Sequence, residues 1–170
     1  MSEPKPHRLP TTVNPERYAI KLTPDLATWT FAGEETVTVQ SKQPVREIVL
    51  NAVELVIQSV SLTDANGKAH GPSMALDHDN EQARFSFPSD LPAGRSELAI
   101  KFAGVLNDKL HGFYRSTYKG ADGQDKPLAS TQFESTDARR AFPCWDEPAF
   151  KAVYQVTLVV DEKLTAISNA

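Results

Sequence analysis

Residues 131–150 read Thr131-Gln-Phe-Glu-Ser-Thr-Asp-Ala-Arg-Arg-Ala-Phe-Pro-Cys-Trp-Asp-Glu-Pro-Ala-Phe150, and the rest of the chain is organised around them. The stretch begins inside Leu128–Glu134, which predicts an extended strand. Successive side chains of a strand point to opposite faces, so Gln132 and Glu134 are expected on one face. An amide beside a carboxylate makes an anionic patch rich in hydrogen-bond acceptors. Such a patch suits an ammonium group, and the free N-terminus of a peptide is one.

The second half of this stretch is predicted to be an ordered loop. Pro143 and Pro148 fix φ and donate no backbone hydrogen bond, which disfavours helix and strand between them. Trp145 is expected to anchor the loop by burying its ring. Cys144 has no histidine near it in sequence, so a buried, unreactive thiol is favoured over a nucleophile.

Two readings are open for Arg139 and Arg140. They could bind a substrate carboxylate, or they could hold the loop through ion pairs with neighbouring acids. The second reading is favoured because acids lie within a few residues on either side. The expected partners are Asp137, Asp146 and Glu147. By residue type alone, Glu134 is typical of a solvated carboxylate on a strand.

Short alternating segments predict β-strands along most of the chain, and no segment sustains a helical period. Turn signals recur about every ten residues, which is typical of an all-β sandwich or barrel. The fold class is therefore expected to be all-β and mostly antiparallel. The predicted strands are Tyr18–Leu22, Trp29–Phe31, Thr36–Gln40, Glu47–Leu50, Leu55–Thr63, Ala83–Phe87, Glu97–Phe102, Val153–Val160 and Leu164–Ile167.

The turns between these strands are predicted from glycine, proline and asparagine. Gly33 is expected at or near a hairpin turn, and Asn66-Gly67 is a strong hairpin signal. The segment Pro88–Gly94 is predicted to be a loop. The polar segment Tyr118–Pro127 is expected to form the tip of a hairpin that leads into Gln132.

Composition excludes several function classes. The net charge is −4 with mixed signs and no basic run, so nucleic-acid binding is not indicated. No run of about 18 apolar residues occurs, so no membrane-spanning helix is expected. The single cysteine, Cys144, cannot form an intrachain disulfide and indicates a reducing, cytoplasmic compartment.

Three blocks of sequence occur in order: Arg8-Leu-Pro-x-x-Val13-x-Pro-x-x-Tyr18, Gly112-Phe-Tyr-Arg-Ser116, and the stretch at 131–150. Together they closely resemble the N-terminal domain of zinc aminopeptidases of the aminopeptidase N and puromycin-sensitive type. The resemblance implies a sandwich or saddle-like, mostly antiparallel β domain over residues 8–170. Residues 1–7 are expected to be a flexible lead-in.

The resemblance also implies roles for two residues. Glu134 matches the position that contacts the substrate's free α-amino group, and Gln132 matches one that lines the pocket for the first side chain. A carboxylate there selects peptides with an uncapped N-terminus, because an acylated amine has lost the charge it pairs with. The implied partners are such peptides and a following catalytic domain, and the implied cofactor of the full-length enzyme is zinc.

The catalytic zinc site of that family is not found in this sequence. It requires His-Glu-x-x-His on a helix and a distal glutamate, and the family's Gly-Ala-Met-Glu-Asn loop is also missing. None of the four histidines is followed by Glu or has a second His four positions away; they are His7, His70, His78 and His111. We therefore expect a fragment or excised domain that binds no metal, carries no catalytic residue and hydrolyses no peptide alone.

An alternative function is a free-standing β-sandwich that only binds a peptide or protein, using the Gln132 and Glu134 patch or an exposed edge. The reading frame beyond Ala170 discriminates between the two, since a zinc motif there favours the enzyme and a stop favours the binding module. A chain that ends inside the domain leaves a sheet edge unpaired. Such an edge favours pairing with another copy, so an edge-strand dimer is a further hypothesis.

Overall fold

The computed structural model of the chain describes residues 8–169, and they are built almost entirely of β-strands. One 3-10 helix spans Ala138–Arg140. The expected all-β, mostly antiparallel fold is confirmed, while the predicted lead-in at residues 1–7 lies outside the described residues. The strands are β1 (Val13–Asp25), β2 (Thr30–Ser41), β3 (Val45–Asn51), β4 (Leu55–Thr63), β5 (Ala69–His70), β6 (Ser73–Asp77), β7 (Gln82–Leu91), β8 (Gly94–Val105), β9 (Gly112–Lys119), β10 (Asp125–Gln132) and β11 (Val153–Leu158).

The strands form three sheets. The largest has six strands in the order β11-β1-β2-β8-β4-β5, and a second has the order β3-β7-β6. The hairpin of β9 and β10 forms the third. Pairing between these strands is antiparallel except for β11, which runs parallel to β1. This one parallel pair brings two distant parts of the sequence side by side.

The two larger sheets share one hydrophobic core. Alternation in β8 buries Leu98, Ile100 and Phe102, and alternation in β7 buries Phe85 and Phe87. All five side chains belong to a single cluster of buried residues. Two sheets that bury their inner faces against each other form a sandwich.

Gly33 lies inside β2, so the prediction that it forms a hairpin turn is wrong. It pairs with Leu22 on one side and Phe102 on the other. A Cβ atom on Gly33 would lie 2.2 Å from the Phe102 ring, so glycine is needed here for close packing. The turn occupies residues 26–29 instead, where Asp25 accepts hydrogen bonds from the backbone of residues 27 and 28.

Two further predictions are wrong and two are confirmed. Strand β7 runs through the predicted loop Pro88–Gly94 as far as Leu91; Pro88 is tolerated because pairing with β3 is irregular there. No strand forms at Leu164–Ile167 within the described residues. The Asn66-Gly67 hairpin joins β4 to β5, and Tyr118–Pro127 contains the β9–β10 turn.

Glu35 is a buried carboxylate on the inner face of β2. Only 3% of the residue is exposed, and neither carboxylate oxygen has a hydrogen-bond partner among the described residues. Burial raises the pKa of the Glu35 carboxyl well above its ordinary value. As the pH rises above the ordinary pKa of glutamate, the unfolded chain releases this proton, whereas the folded protein holds it up to a higher pH.

Replacing Glu35 tests this assignment. Because the folded pKa is raised, stability is highest below the ordinary glutamate pKa and falls as the pH rises above it. We expect Glu35→Leu to raise the free energy of unfolding at pH 7 by about 1–3 kcal/mol, and Glu35→Gln to remove the same pH slope. Urea unfolding at several pH values measures both effects.

The matched control is Glu34→Gln. Glu34 is the adjacent carboxylate, but it is exposed and lies 3.6 Å from the Lys21 ammonium. This change should alter stability by no more than about 0.5 kcal/mol. An unchanged pH slope in both Glu35 variants would contradict the assignment.

Candidate functional site

Gln132 is the last residue of β10, and Glu134 lies beyond the strand in a turn over residues 134–137. The prediction that both side chains share a strand face is therefore wrong, because the strand ends before Glu134. The peptide bond between Glu134 and Ser135 is cis. Both side chains are exposed, two positions apart, at the same end of the β9–β10 hairpin.

The Glu134 carboxylate has no hydrogen-bond or ion-pair partner in the described part of the chain. Within residues 8–169, no group donates a hydrogen bond to it and no cation pairs with it, and the same holds for the Gln132 side chain. Several other acids of this region, such as Asp137 and Asp146, are held in ion pairs. Glu134 therefore presents an unneutralised charge to any cation that reaches the turn.

Phe133 anchors the chain between these two polar residues. Its half-buried ring packs edge-on against Phe142, with the centroids 5.9 Å apart. Phe142 in turn packs against Tyr18, which stacks on Tyr154 at 4.7 Å. This aromatic cluster joins the turn to the core and to the edge of the six-stranded sheet.

Asp137 fixes the far end of the turn. Its backbone N–H donates to the carbonyl of Phe133 at 3.0 Å. Its Oδ1 accepts a hydrogen bond from Arg140 Nε at 2.8 Å and lies 3.0 Å from His111 Nδ1. Burial acts to raise the pKa of Asp137, but these interactions outweigh it and lower the pKa below its ordinary value. Asp137 is thus held as an anion that ties the turn to His111, which precedes β9, and to the 3-10 helix.

Arg139 and Arg140 hold the loop through ion pairs, as predicted. Arg139 donates to Asp146 at 2.9 Å and to Glu81 at 3.0 Å. Arg140 pairs with Glu54 at 2.9 Å and with Glu81 at 3.5 Å. The two guanidinium side chains are only 11% and 17% exposed. Their charges are therefore used within the protein and are not displayed to a substrate carboxylate.

The sequence does not predict Glu54 and Glu81 as partners of the two arginines, and it predicts Glu147 as a partner wrongly. Glu54 and Glu81 each immediately precede a strand and have left-handed backbone conformations, with φ of 58° and 54°. Nothing in the local pattern pairs them with arginines so far along the chain. Glu147 binds Arg8 at 2.9 Å and the Leu9 N–H at 2.7 Å. The opening block of the sequence is thereby tied to the loop.

The rest of the loop docks on β3 and β1. Asn51 and Cys144 exchange backbone hydrogen bonds of 2.8 and 3.0 Å, and the Trp145 N–H donates to the Tyr18 hydroxyl at 3.1 Å. Trp145 is buried, which confirms its predicted role as an anchor. Cys144 is also buried, and burial raises the pKa of its thiol, which disfavours a nucleophilic thiolate.

The described residues do not offer the donor set of a zinc site. In residues 8–169, no group of three or more His, Cys, Asp or Glu side chains is placed to share a metal ion. The two best-placed histidines are committed elsewhere: His70 to Asp64 at 2.7 Å, and His111 to Asp137. No helix within the same residues has the length and apolar character needed to cross a membrane.

The strands and the docked loop together define an all-β domain. Its sequence matches that of a known family. The Peptidase M1 N-terminal domain family matches residues 14–170. The chain belongs to this family, which confirms the resemblance carried by the three sequence blocks.

Curated relatives agree with this assignment. The chain is 46% identical over 162 residues to "Aminopeptidase M1-D" of Oryza sativa subsp. japonica, covering 95% of this chain and 18% of the relative. It is 44% identical over 164 residues to "Puromycin-sensitive aminopeptidase" of Caenorhabditis elegans, covering 95% and 17%. It is 46% identical over 166 residues to "Aminopeptidase M1" of Arabidopsis thaliana, covering 95% and 19%. The chain thus spans less than a fifth of the length of these relatives.

Removing one arginine tests whether the ion pairs hold the loop. Arg139→Gln leaves Asp146 and Glu81 without their main partner in a mostly buried setting. We expect the free energy of unfolding to fall by about 3 kcal/mol, as measured by urea unfolding.

The control is Arg95→Gln, which breaks an exposed pair with Glu16 (3.2 Å). That change should cost no more than about 1 kcal/mol. Equal effects of the two substitutions would contradict a special role for Arg139.

Proposed function

We propose that this chain is the N-terminal domain of a zinc-dependent aminopeptidase, and that it supplies the residues that recognise the free N-terminus of a peptide. The observation that carries the proposal is the exposed, unpaired carboxylate of Glu134 on a turn anchored at both ends. Membership of the Peptidase M1 N-terminal domain family supports it, and so do the names of the aminopeptidases that the chain resembles.

Glu134 binds the substrate α-ammonium group in this proposal. A carboxylate and an ammonium form charge-assisted hydrogen bonds, which are about twice as strong as neutral ones. An acylated or cyclised N-terminus has no such charge and leaves Glu134 unpaired. The carboxylate therefore selects free amines and fixes how deep a peptide enters.

Gln132 lines the pocket for the first side chain. It lies at the same exposed end of the hairpin as Glu134, and its amide both donates and accepts hydrogen bonds. The anchored ring of Phe133 lies between the two residues and limits movement of the backbone that carries them. A rigid support of this kind lowers the entropic cost of binding.

Zinc, which supplies water activation in aminopeptidases of this type, belongs to the rest of the protein in this proposal. Residues 8–169 hold no suitable donor set, so this chain binds and orients the peptide but does not cleave it. The following catalytic domain is thus its principal partner. The single buried Cys144 supports a reducing, cytoplasmic location.

The experiment that tests the role of Glu134 uses the longer protein that contains this chain. Glu134→Gln keeps the size of the side chain and removes its charge. We expect kcat/KM for an aminoacyl 4-nitroanilide to fall about 10- to 150-fold, because a hydrogen bond to a charged group contributes about 1.5–3 kcal/mol. Steady-state kinetics measures the change.

The matched control is Glu97→Gln, since Glu97 is an exposed carboxylate on β8, far from the turn in sequence. It should leave kcat/KM unchanged, because it changes the net charge of the protein by the same amount but removes no contact with the substrate. If Glu134→Gln also leaves kcat and KM unchanged, the proposed role of Glu134 is wrong.

The second prediction concerns this chain on its own. The purified 170-residue chain should release no 4-nitroaniline from aminoacyl 4-nitroanilides, with or without added zinc, because residues 8–169 hold no set of donors for a catalytic metal. An absorbance assay of the chain beside the longer protein measures this. Metal-dependent turnover by the chain that chelation abolishes would refute the proposed division of roles.

A further inference from the structure

The position of the Glu134 side chain is set by the backbone alone. In the part of the chain that the structure describes, it makes no hydrogen bond or ion pair, and neither do the side chains of Ser135 and Thr136. All three residues are exposed. A side chain without contacts of its own takes its position from the two ends of the segment that carries it. The placement of the Glu134 carboxylate therefore depends on Phe133 at one end and Asp137 at the other.

These two residues close the turn on each other. The Asp137 N–H donates to the Phe133 carbonyl at 3.0 Å, and this hydrogen bond makes an α-turn that encloses residues 134–136. The Phe133 ring is fixed against Phe142. One anchored end leaves the turn free to pivot about that end. The Asp137 side chain supplies the second anchor, which fixes the orientation of the turn on the domain.

The Asp137 carboxylate is held from two directions. Its Oδ1 lies 3.0 Å from Nδ1 of His111, which precedes β9, and 2.8 Å from Nε of Arg140 in the 3-10 helix. Because Asp137 is an anion, Nδ1 of His111 carries a proton and donates it. Both hydrogen bonds are therefore charge-assisted, which makes them stronger than neutral ones. The His111 and Asp137 side chains are only 25% and 21% exposed.

The groups that hold Asp137 are themselves fixed. Arg140 also pairs with Glu54 at 2.9 Å. The stem of Arg140 packs against Gly112 so closely that a Cβ atom on Gly112 would lie 2.6 Å from the Arg140 Cβ. Gly112 is in turn the residue that pairs with Gln132 between β9 and β10. The support of Asp137 is thus joined to the backbone of both proposed recognition residues.

We propose that Asp137 is a positioning residue for recognition of the peptide N-terminus, and that His111 supports it. This inference rests on the proposed function of Glu134. Asp137 touches no substrate in this arrangement and acts through the turn, by holding the Glu134 carboxylate in one place. Precision matters here, because a displacement of about 1 Å can lower a rate by up to about 100-fold.

The test is a double-mutant cycle in the longer protein that contains this chain, with an aminoacyl 4-nitroanilide as substrate. Asp137→Asn keeps the size of the side chain and removes its charge. We expect it to lower kcat/KM about tenfold when Glu134 is intact, and by less than about twofold in the Glu134→Gln background. A loss of folded enzyme lowers kcat/KM by the same factor in both backgrounds, so the cycle separates positioning from stability.

A milder pair of variants acts on His111. His111→Ala removes one of the two donors to Asp137 and should lower kcat/KM about threefold, again only when Glu134 is intact. His111→Asn places an amide donor near the position of Nδ1 and should restore most of this loss.

The matched control is Asp64→Asn. Asp64 is also a buried aspartate beside a histidine: it lies 2.7 Å from His70 Nε2 and accepts the backbone N–H groups of Asn66 and Lys68. It lies in the β4–β5 hairpin, at the edge of the six-stranded sheet opposite β11. This change should lower the free energy of unfolding in urea, yet leave kcat/KM of the folded enzyme unchanged.

The outcomes separate this inference from the function on which it rests. An equal fall of kcat/KM in both backgrounds would overturn the positioning role of Asp137 and leave the role of Glu134 intact. So would unchanged kinetics in both Asp137→Asn and His111→Ala. If Glu134→Gln alone leaves kcat/KM unchanged, the proposed function is wrong and this inference falls with it.

Discussion

The ion pairs of Arg139 and Arg140 are the interactions on which the arrangement of this protein most depends. The sheets are stabilised by backbone hydrogen bonds between strands and by burial of apolar side chains. The loop that follows β10 is only partly stabilised in these two ways. The two guanidinium groups connect that loop to Glu54 and Glu81, residues that precede β4 and β7. One cluster of charges thus joins parts of both large sheets to the turn that carries Glu134.

This arrangement separates rigidity from exposed charge. Asp137 and Asp146 lie in the same stretch as Glu134, yet each is neutralised by an arginine and holds a fixed position. Glu134 alone of these three acids has no partner among the described residues. A carboxylate binds a ligand best when the residues that hold it in place are already paired within the protein. Unpaired charges beside it would compete for the ligand and weaken recognition.

The sequence predicts the strands well because they alternate with a period of two, which neighbours along the chain suffice to reveal. It predicts Arg139 with Asp146 for the same reason, since these partners are close in sequence. The prediction fails where the interacting residues are far apart in sequence. Glycine is required at position 33 because the Phe102 ring packs against it, and Glu81 pairs with a residue 58 positions away. The sequence predicts a strand that reaches Glu134, whereas β10 ends at Gln132 and Glu134 lies in the following turn. Residue type predicts the exposure of Glu134, but only the structure shows that no described residue pairs with it.

The parallel pairing of β1 with β11 has a consequence for how the chain is made. Residues Arg17 and Val153 lie side by side, and Tyr18 stacks on Tyr154 across the same pair. Contacts between residues so far apart in sequence slow folding, because a long loop must close before they form. During synthesis, β1 can pair early with β2, but its other edge stays open until nearly the whole of this chain has left the ribosome. Until then β1 has an unpaired edge, and unpaired strand edges make incompletely folded chains prone to aggregation.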